Sequence, residues 1–391
     1  MDLRFSDADE AFRAEVKSWL DEHLVGEFAE LRGAGGPGRE HEGFETRRAW
    51  ERLLGGHGWI GIGWPSDYGR GCSLMQQVVF HEEYAKAGAP QRVNHMGENL
   101  LAPTLLVHGT ATQRERFLAP IAAGDELWCQ GYSEPGAGSD LANVQTKAVL
   151  DGDEWVVTGQ KVWTSLAHVA DWCFVVARTE PGSTRHSGLS YLLVPMKQPG
   201  VDIRPIVQIT GTSEFNEVFF DGARTPADHV VGTPGDGWRI AMATLGFERG
   251  AATLGQQIGF ARELGQVIAV ARRRGTLDDP LVRDAVARAW IDLRVLRYTA
   301  LRMLGPEASD GPLAAAAPSI AKLLWAGWHQ RLGELAMMVQ GAEATEAPQG
   351  ADDLDDMQRL FLFSRSDTIY GGSHEIQRDI IARRMLGLPR S

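Results

Sequence analysis

Gly131-Tyr132-Ser133-Glu134-Pro135-Gly136-Ala137-Gly138-Ser139-Asp140, followed at a fixed distance by Lys161-Val162-Trp163-Thr164-Ser165, decides how this chain is read. Both segments sit among β-branched and aromatic runs, so they read as adjacent strand ends lining one pocket. The Gly136 to Asp140 turn offers backbone N–H groups that no side chain obstructs, which suits a phosphate or the polar edge of a planar ring. Trp163 can stack on such a ring while the neighbouring hydroxyls bond its nitrogen edge. Taken singly, each segment also fits a plainer role: a turn that is only a turn, and a core Trp beside two strand-end hydroxyls.

The flanking texture divides the chain in three. From Leu127, short strand-like runs (Trp155-Val156-Val157, 172–176, 189–194) alternate with turn signals such as Asp151-Gly152-Asp153. That spacing predicts a small antiparallel sandwich or barrel over 127–237. Before it, Phe12, Val16, Trp19, Leu20 and Leu24 recur at helical spacing behind a candidate N-cap, Ser6, and further helical segments follow near 45–54, 73–87 and 113–122. After it, long helices are predicted over 238–274, 281–304, 318–340, 353–369 and 374–386, which pack most economically as a bundle. Pro318 fits a helix's first turn, so the alanine run before it reads as a loop or frayed end. The expected architecture is α+β and multi-domain: helices in 1–126, a β domain in 127–237 and a helical bundle in 238–391.

Composition removes several functions. At 391 residues and 43% hydrophobic content the chain can bury a large core, while a net charge of −12 without a basic patch argues against nucleic acid. Cys72, Cys129 and Cys173 match no zinc spacing, and the acidic N-terminus does not resemble a secretory signal, so a cytoplasmic setting is expected. No apolar run approaches the roughly 20 residues of a membrane span. H-E-x-x-H, G-x-S-x-G, Walker A and G-x-G-x-x-G in a βαβ context are all missing, and no metal site is expected. Glu248 and Arg249 form an adjacent charged pair in an otherwise apolar helical segment. There a carboxylate could be tuned as a general base, or the pair could be a solvated helix face.

These motifs, with Gly159-Gln160-Lys161-Val162-Trp163-Thr164-Ser165, Phe219-Phe220-Asp221-Gly222-Ala223-Arg224-Thr225-Pro226, Gly235-Asp236-Gly237-Trp238 and the 369–378 segment Ile-Tyr-Gly-Gly-Ser-His-Glu-Ile-Gln-Arg, resemble the acyl-CoA dehydrogenases over nearly the whole chain. The resemblance implies FAD as cofactor. Its flavin would be held by Gln130, Tyr132, Ser133, Gly138 and Ser139 and by Trp163, Thr164 and Ser165, with Ser373 and Glu375 touching it from the C-terminal domain. Ser139 and Arg249 fall where family members contact the acyl-CoA. The implied reaction is α,β-dehydrogenation of a CoA thioester, in which a carboxylate takes the α-proton and a hydride leaves the β-carbon for flavin N5. Familiar members carry that base directly after the motif's Tyr, where this chain has Gly371; others carry it directly before the Arg on the first long C-terminal helix, which here is Glu248. Glu375 competes in sequence but matches the cofactor turn.

Two departures qualify the resemblance. Where many homomeric members have Arg-x-x-Phe-Gly, a segment reaching a neighbouring subunit's FAD, this chain reads Arg272-Arg273-Arg274-Gly275-Thr276-Leu277-Asp278-Asp279-Pro280. The usual Gln-x-x-Gly-Gly is reduced to Gln340-Gly341-Ala342-Glu343. In this the chain is similar to the actinobacterial α2β2 acyl-CoA dehydrogenases of sterol degradation. The resemblance then implies a second related subunit, a steroid-derived CoA thioester as substrate and an electron-transfer flavoprotein as acceptor. Alternatives are a homomeric fatty or branched-chain acyl-CoA dehydrogenase, a non-catalytic partner subunit, and an oxidase or monooxygenase on the same fold.

Overall fold

The structure, a computed structural model, describes residues 5–36, 38–247, 252–303, 311–346 and 354–389, with backbone only at 252–255 and 311–315. The chain enters through α1 (Asp7–His23), started by a capping box in which Ser6 Oγ accepts from Asp9 N at 3.2 Å and Asp9 accepts from Ser6 N at 2.9 Å. Capping boxes also start α4 (Leu74–Ala87) and α6 (Ala111–Ala123). Phe12, Val16 and Leu20 form the buried stripe of α1 and pack with Trp50 and Leu54 of α3 (Phe44–Gly56) and Phe80 of α4. The one-turn α2 (Glu27–Glu30) and α5 (Ala102–His108), which follows a π turn at Gly97–Leu101, are too short to declare a period in sequence.

Eight strands follow: β1 (Trp128–Gly131), β2 (Lys147–Asp151), β3 (Glu154–Ser165), β4 (Trp172–Arg178), β5 (Leu189–Pro195), β6 (Val201–Ile206), β7 (Phe215–Pro226) and β8 (Val230–Val231). They form one sheet in the order β6-β7-β3-β2-β4-β5-β8, with β1 set against β4. Strand alternation divides two cores. Phe174, Val176, Tyr191 and Leu193 face the helices with Leu105, Phe117 and Ile121. Cys173, Val175, Leu192 and Val194 instead meet Trp155, Val157, Val218 and Phe220 of β3 and β7, so the sheet packs on its own inner face. One detail differs from an all-antiparallel reading: β1–β4 and β2–β4 pair in parallel. Period-2 alternation reports which face is buried and carries no information on strand direction.

Helices return as α7 (Gly237–Phe247), α8 (Ala252–Arg274), α9 (Pro280–Met303), α10 (Gly311–Gln340), α11 (Asp356–Ser364) and α12 (His374–Arg384). The helical, β, helical order is the one read from the sequence. Among the described residues no helix is long and apolar enough to cross a membrane. The expectation that Pro318 opens its helix is corrected: α10 starts at Gly311 and Pro318 lies inside it. Alanine is the strongest helix former, and that preference carries the helix through the run before the proline. Phe260, Leu264, Leu293, Leu296, Trp328 and Leu332 build the bundle core. On α9, Trp290, Ile291, Val295 and Tyr298 stay exposed along one face. Ties to the N-terminal helices include Arg297 to Glu82 at 2.5 Å and Thr104 Oγ1 to Thr244 Oγ1 at 2.8 Å.

Inside the bundle His329, 5% exposed, bridges two carboxylates: Nδ1 lies 2.5 Å from Asp367 and Nε2 3.0 Å from Glu263. Burial would lower its pKa, but Glu263 and Asp367 outweigh burial and hold it up at about 10. An imidazolium whose pKa is raised on folding stabilises fully below its unfolded value of 6.5 and loses that contribution as pH rises toward about 10. The stability advantage of the native chain over His329→Gln, measured by urea midpoints, should therefore shrink between pH 6.5 and 10, by up to about 1.4 kcal/mol per pH unit.

Candidate functional site

β1 ends at Gly131, and the 132–139 loop is then pinned from beneath by Lys161. Lys161 falls on the inward side of β3 with Trp155 and Val157, and it is 0% exposed. Its Nζ donates to Glu134 Oε1 at 2.8 Å, to the Tyr132 carbonyl at 3.0 Å and to the Val176 carbonyl at 2.8 Å, so all three protons are used. Glu134 also accepts from the backbone N–H groups of Gln145 at 2.6 Å and Thr146 at 2.9 Å. Burial lowers the Lys161 pKa despite Glu134, while Lys161 and the Thr146 and Gln145 contacts outweigh burial to hold Glu134 below the usual carboxylate range. Val162 N donates to the Ser133 carbonyl at 2.9 Å, which joins the two quoted segments directly.

Above this pair the loop is open. A Cβ built at Gly136 or Gly138 would meet nothing within 4 Å, and neither residue has a positive φ. Nothing inside the protein requires glycine there, so the bare backbone is free for an outside group to lie against. Ser139 is exposed beside them. Tyr132 is turned inward, its ring edge-on to Phe174 and Tyr191 at 5.8 and 6.2 Å. Gln130 Nε2 is buried without a hydrogen-bond partner.

The end of β3 is bulged between Lys161 and Thr164, and Trp163 takes φ 61 there while remaining 57% exposed. An aromatic residue in the left-handed region is a local strain that the surrounding structure must enforce. The bulge turns the indole outward, against only the edge of Phe215 at 6.1 Å, and sends Thr164 inward at 0% exposure with its hydroxyl unpartnered. Ser165 is half-buried. An exposed, held indole, a glycine-bare loop and two orphaned buried polar atoms fit a planar ring with a hydrogen-bonding edge.

Ser373 caps α12, its hydroxyl accepting from Ile376 N at 3.5 Å, and Glu375 is exposed with Arg378 at 3.8 Å. Among the described residues no hydrogen bond joins this turn to the β-domain segments. Glu248 and Arg249 lie outside the described residues. Sequence reasoning missed the Lys161–Glu134 pair as a feature of the site; a lysine in the inward register of an apolar strand was the available signal. It also missed Asn216, fully buried, whose side chain donates to the Thr164 carbonyl at 3.1 Å.

Comparison with known proteins gives the chain a family. Residues 6–125, 129–223 and 235–386 match the models for the acyl-CoA dehydrogenase N-terminal, middle and C-terminal domains. The chain is similar to acyl-CoA dehydrogenase IpdE1 of Mycobacterium tuberculosis, 62% identical over 97% of this chain and 98% of that one. Among solved structures it is similar to the Tcur3481–Tcur3483 steroid ACAD, at 32% identity and a TM-score of 0.85 with 100% of both chains covered. The ChsE4–ChsE5 complex of Mycobacterium tuberculosis matches at 32% identity and a TM-score of 0.81, again over 100% of both chains.

Removing Lys161 would strand a buried carboxylate under the loop. Lys161→Met should cost about 3–5 kcal/mol in urea unfolding, far more than an exposed lysine would. A loss below 1 kcal/mol would mean that the pair does not organise the loop.

Proposed function

Because the chain belongs to the acyl-CoA dehydrogenase family, an FAD-dependent oxidoreductase family, we propose that it dehydrogenates a steroid-derived acyl-CoA thioester as one subunit of a heteromeric enzyme. The observation that carries this reading is the full-length likeness to the two-chain Tcur3481–Tcur3483 steroid enzyme. Two features of the chain support it. Arg274 donates to the Glu343 carboxylate, so the two segments that depart from the homomeric pattern engage each other instead of reaching outward. The exposed apolar face of α9 suits burial against a related subunit.

FAD, when bound, supplies the hydride acceptor, and the chain's own residues supply position and proton transfer. The backbone of the 132–139 loop, Gln130 and the orphaned Thr164 hydroxyl would bond the flavin's polar edge; Trp163 would stack beside it and Ser165 would stand near the reactive nitrogen. Ser373 and Glu375 would close the site from the C-terminal side. Ser139 and Arg249 would contact the CoA thioester, and Glu248 would take the α-proton. That proton is weakly acidic, so hydrogen bonds to the thioester oxygen must stabilise the negative charge that develops as it leaves. Electrons would pass to an electron-transfer flavoprotein. A cytoplasmic setting is supported by three free cysteines, including Cys129 and Cys173, register neighbours on parallel strands that remain thiols.

Two measurements test the reading. The purified chain alone should carry little FAD by flavin absorbance, and co-expression with its related subunit should restore it; an active, fully flavinylated homomer would overturn the heteromeric assignment. Glu248→Gln should lower kcat by about 10²–10⁴-fold without loss of FAD, and an unchanged rate would remove Glu248 as the base.

A further inference from the structure

Two carboxyl groups from different domains meet behind the strand end that carries Trp163, Thr164 and Ser165. Glu40 stands between α2 and α3, and Glu214, 5% exposed, stands between β6 and β7. Glu214 Oε2 accepts from Thr212 Oγ1 at 2.7 Å and from the Gln208 amide. Its other oxygen, Oε1, is buried and makes no hydrogen bond, with His41 Nδ1 3.5 Å away, and Glu40 Oε2 is likewise buried and unpartnered. His41 is next in sequence to Glu40, so the two unpartnered oxygens belong to carboxyl groups that stand side by side. Two ionised carboxylates there would repel each other and leave both oxygens unsatisfied; a single shared proton removes both penalties.

Resting on the reading that this strand end holds the flavin ring, we infer that Glu40 is a positioning residue for the flavin site, protonated in the assembled protein and donating its carboxyl O–H to Glu214. The connection to the site is short. The Glu214 carbonyl accepts from Leu166 N at 2.8 Å, directly after Ser165. Asn216 Nδ2 bridges the Thr164 carbonyl at 3.1 Å and the Glu214 carbonyl at 3.3 Å. Any shift of Glu214 therefore acts on the Leu166 and Asn216 contacts at the end of β3, beside its ladder with β7.

The surroundings favour the protonated acid. Burial first, then the charge of Glu214, pushes the Glu40 carboxyl up to about 8, against the pull of its own backbone and of Arg47. Thr212 and Glu40 hold Glu214 below its usual range despite burial. Of the other charged or titratable groups facing the pair, all but His41 are committed elsewhere or neutral. Arg47 of α3 donates to the Glu40 carbonyl at 2.7 Å. Arg39 pairs with Glu42 at 2.7 Å and reaches Asp356 of α11 at 3.5 Å. His168, beside Asn216, has its pKa lowered by burial. His41 Nδ1 lies 3.5 Å from Glu214 Oε1 and is tested separately.

The sign follows from the raised pKa. The closed contact binds a proton that the opened loops release, so it is complete below about 4.5, weakens as pH climbs and levels off above about 8. On the FAD-loaded enzyme, flavin release followed by fluorescence should speed up to about tenfold per pH unit between pH 6 and 8 and then level. Amide-exchange protection of Leu166 should fall over the same range. Glu40→Gln, which keeps a donor at every pH, should flatten both profiles, whereas His41→Asn should leave them as in the native chain. Should Glu40→Gln not retain flavin, Glu214→Gln removes the same repulsion and serves instead. Constant Leu166 protection in the native chain, or a Glu40→Gln profile that tracks the native one, would overturn the inference. Protection that falls while flavin release stays constant would overturn the placement of flavin at this strand end and leave the Glu40–Glu214 pair standing.

Discussion

A single buried ammonium organises the centre of this molecule. Lys161 has no water to solvate it, so its three protons must find protein acceptors, and it finds them on two separate stretches: the 132–139 loop through Tyr132 and Glu134, and β4 through Val176. Burying one charge is expensive unless it is paired and hydrogen-bonded, and each acceptor here has one geometry that works. The loop can thus present its bare glycines outward because its underside is fixed by an ion pair that tolerates little displacement. Glu134 extends the constraint to the start of β2 through the amides of Gln145 and Thr146.

Around that centre the three domains are joined by small polar contacts set in apolar surroundings. Tyr191 of β5, Thr244 of α7 and Thr104 of α5 form one buried hydroxyl cluster, with Thr244 also donating to the Ile240 carbonyl at 3.0 Å. Such contacts contribute little individually, but mismatching them leaves a dry hydroxyl unsatisfied. They fix the relation of helices to sheet more sharply than the aromatic packing beside them. Hydrophobic contact among Phe117, Trp128 and Trp172 holds the faces together, whereas the hydroxyl cluster decides their alignment.

Much of the fold was legible because burial leaves a period. The stripe of Phe12, Val16 and Leu20 records which side of α1 faces the core, and the unbroken apolar runs of β4 and β5 record strands buried on both faces. What periodicity lacks is direction and reach. It could not show that β1 runs parallel to β4, nor that α10 continues back through Pro318 to Gly311. At the candidate site, the glycines and Trp163 were readable as residue types with a use. Their supports were not: Glu134 and Lys161 look like ordinary surface charges until the fold buries both, and the bulge that turns Trp163 outward and Thr164 inward depends on pairing with β7. Glu40 and Glu214 are still further from sequence view, being far apart in the chain and ordinary in type.

The parallel seat of β1 carries a consequence for assembly. Its partner β4 follows the β2–β3 hairpin in the chain, so on the ribosome β1 and the loop after it emerge with nothing to pair against. The first helices can collapse on their own core while this strand waits, and the hairpin that closes next brings Lys161, still without its Val176 acceptor. Only the arrival of β4 supplies both a ladder for β1 and the last acceptor for that ammonium, so the nascent chain can bury the charge only once β4 has emerged, before β5 to β8 join the sheet. A truncated or stalled chain ending before β4 would carry an unfinished strand edge and a lysine with nowhere dry to go, the kind of species that quality control recognises and removes.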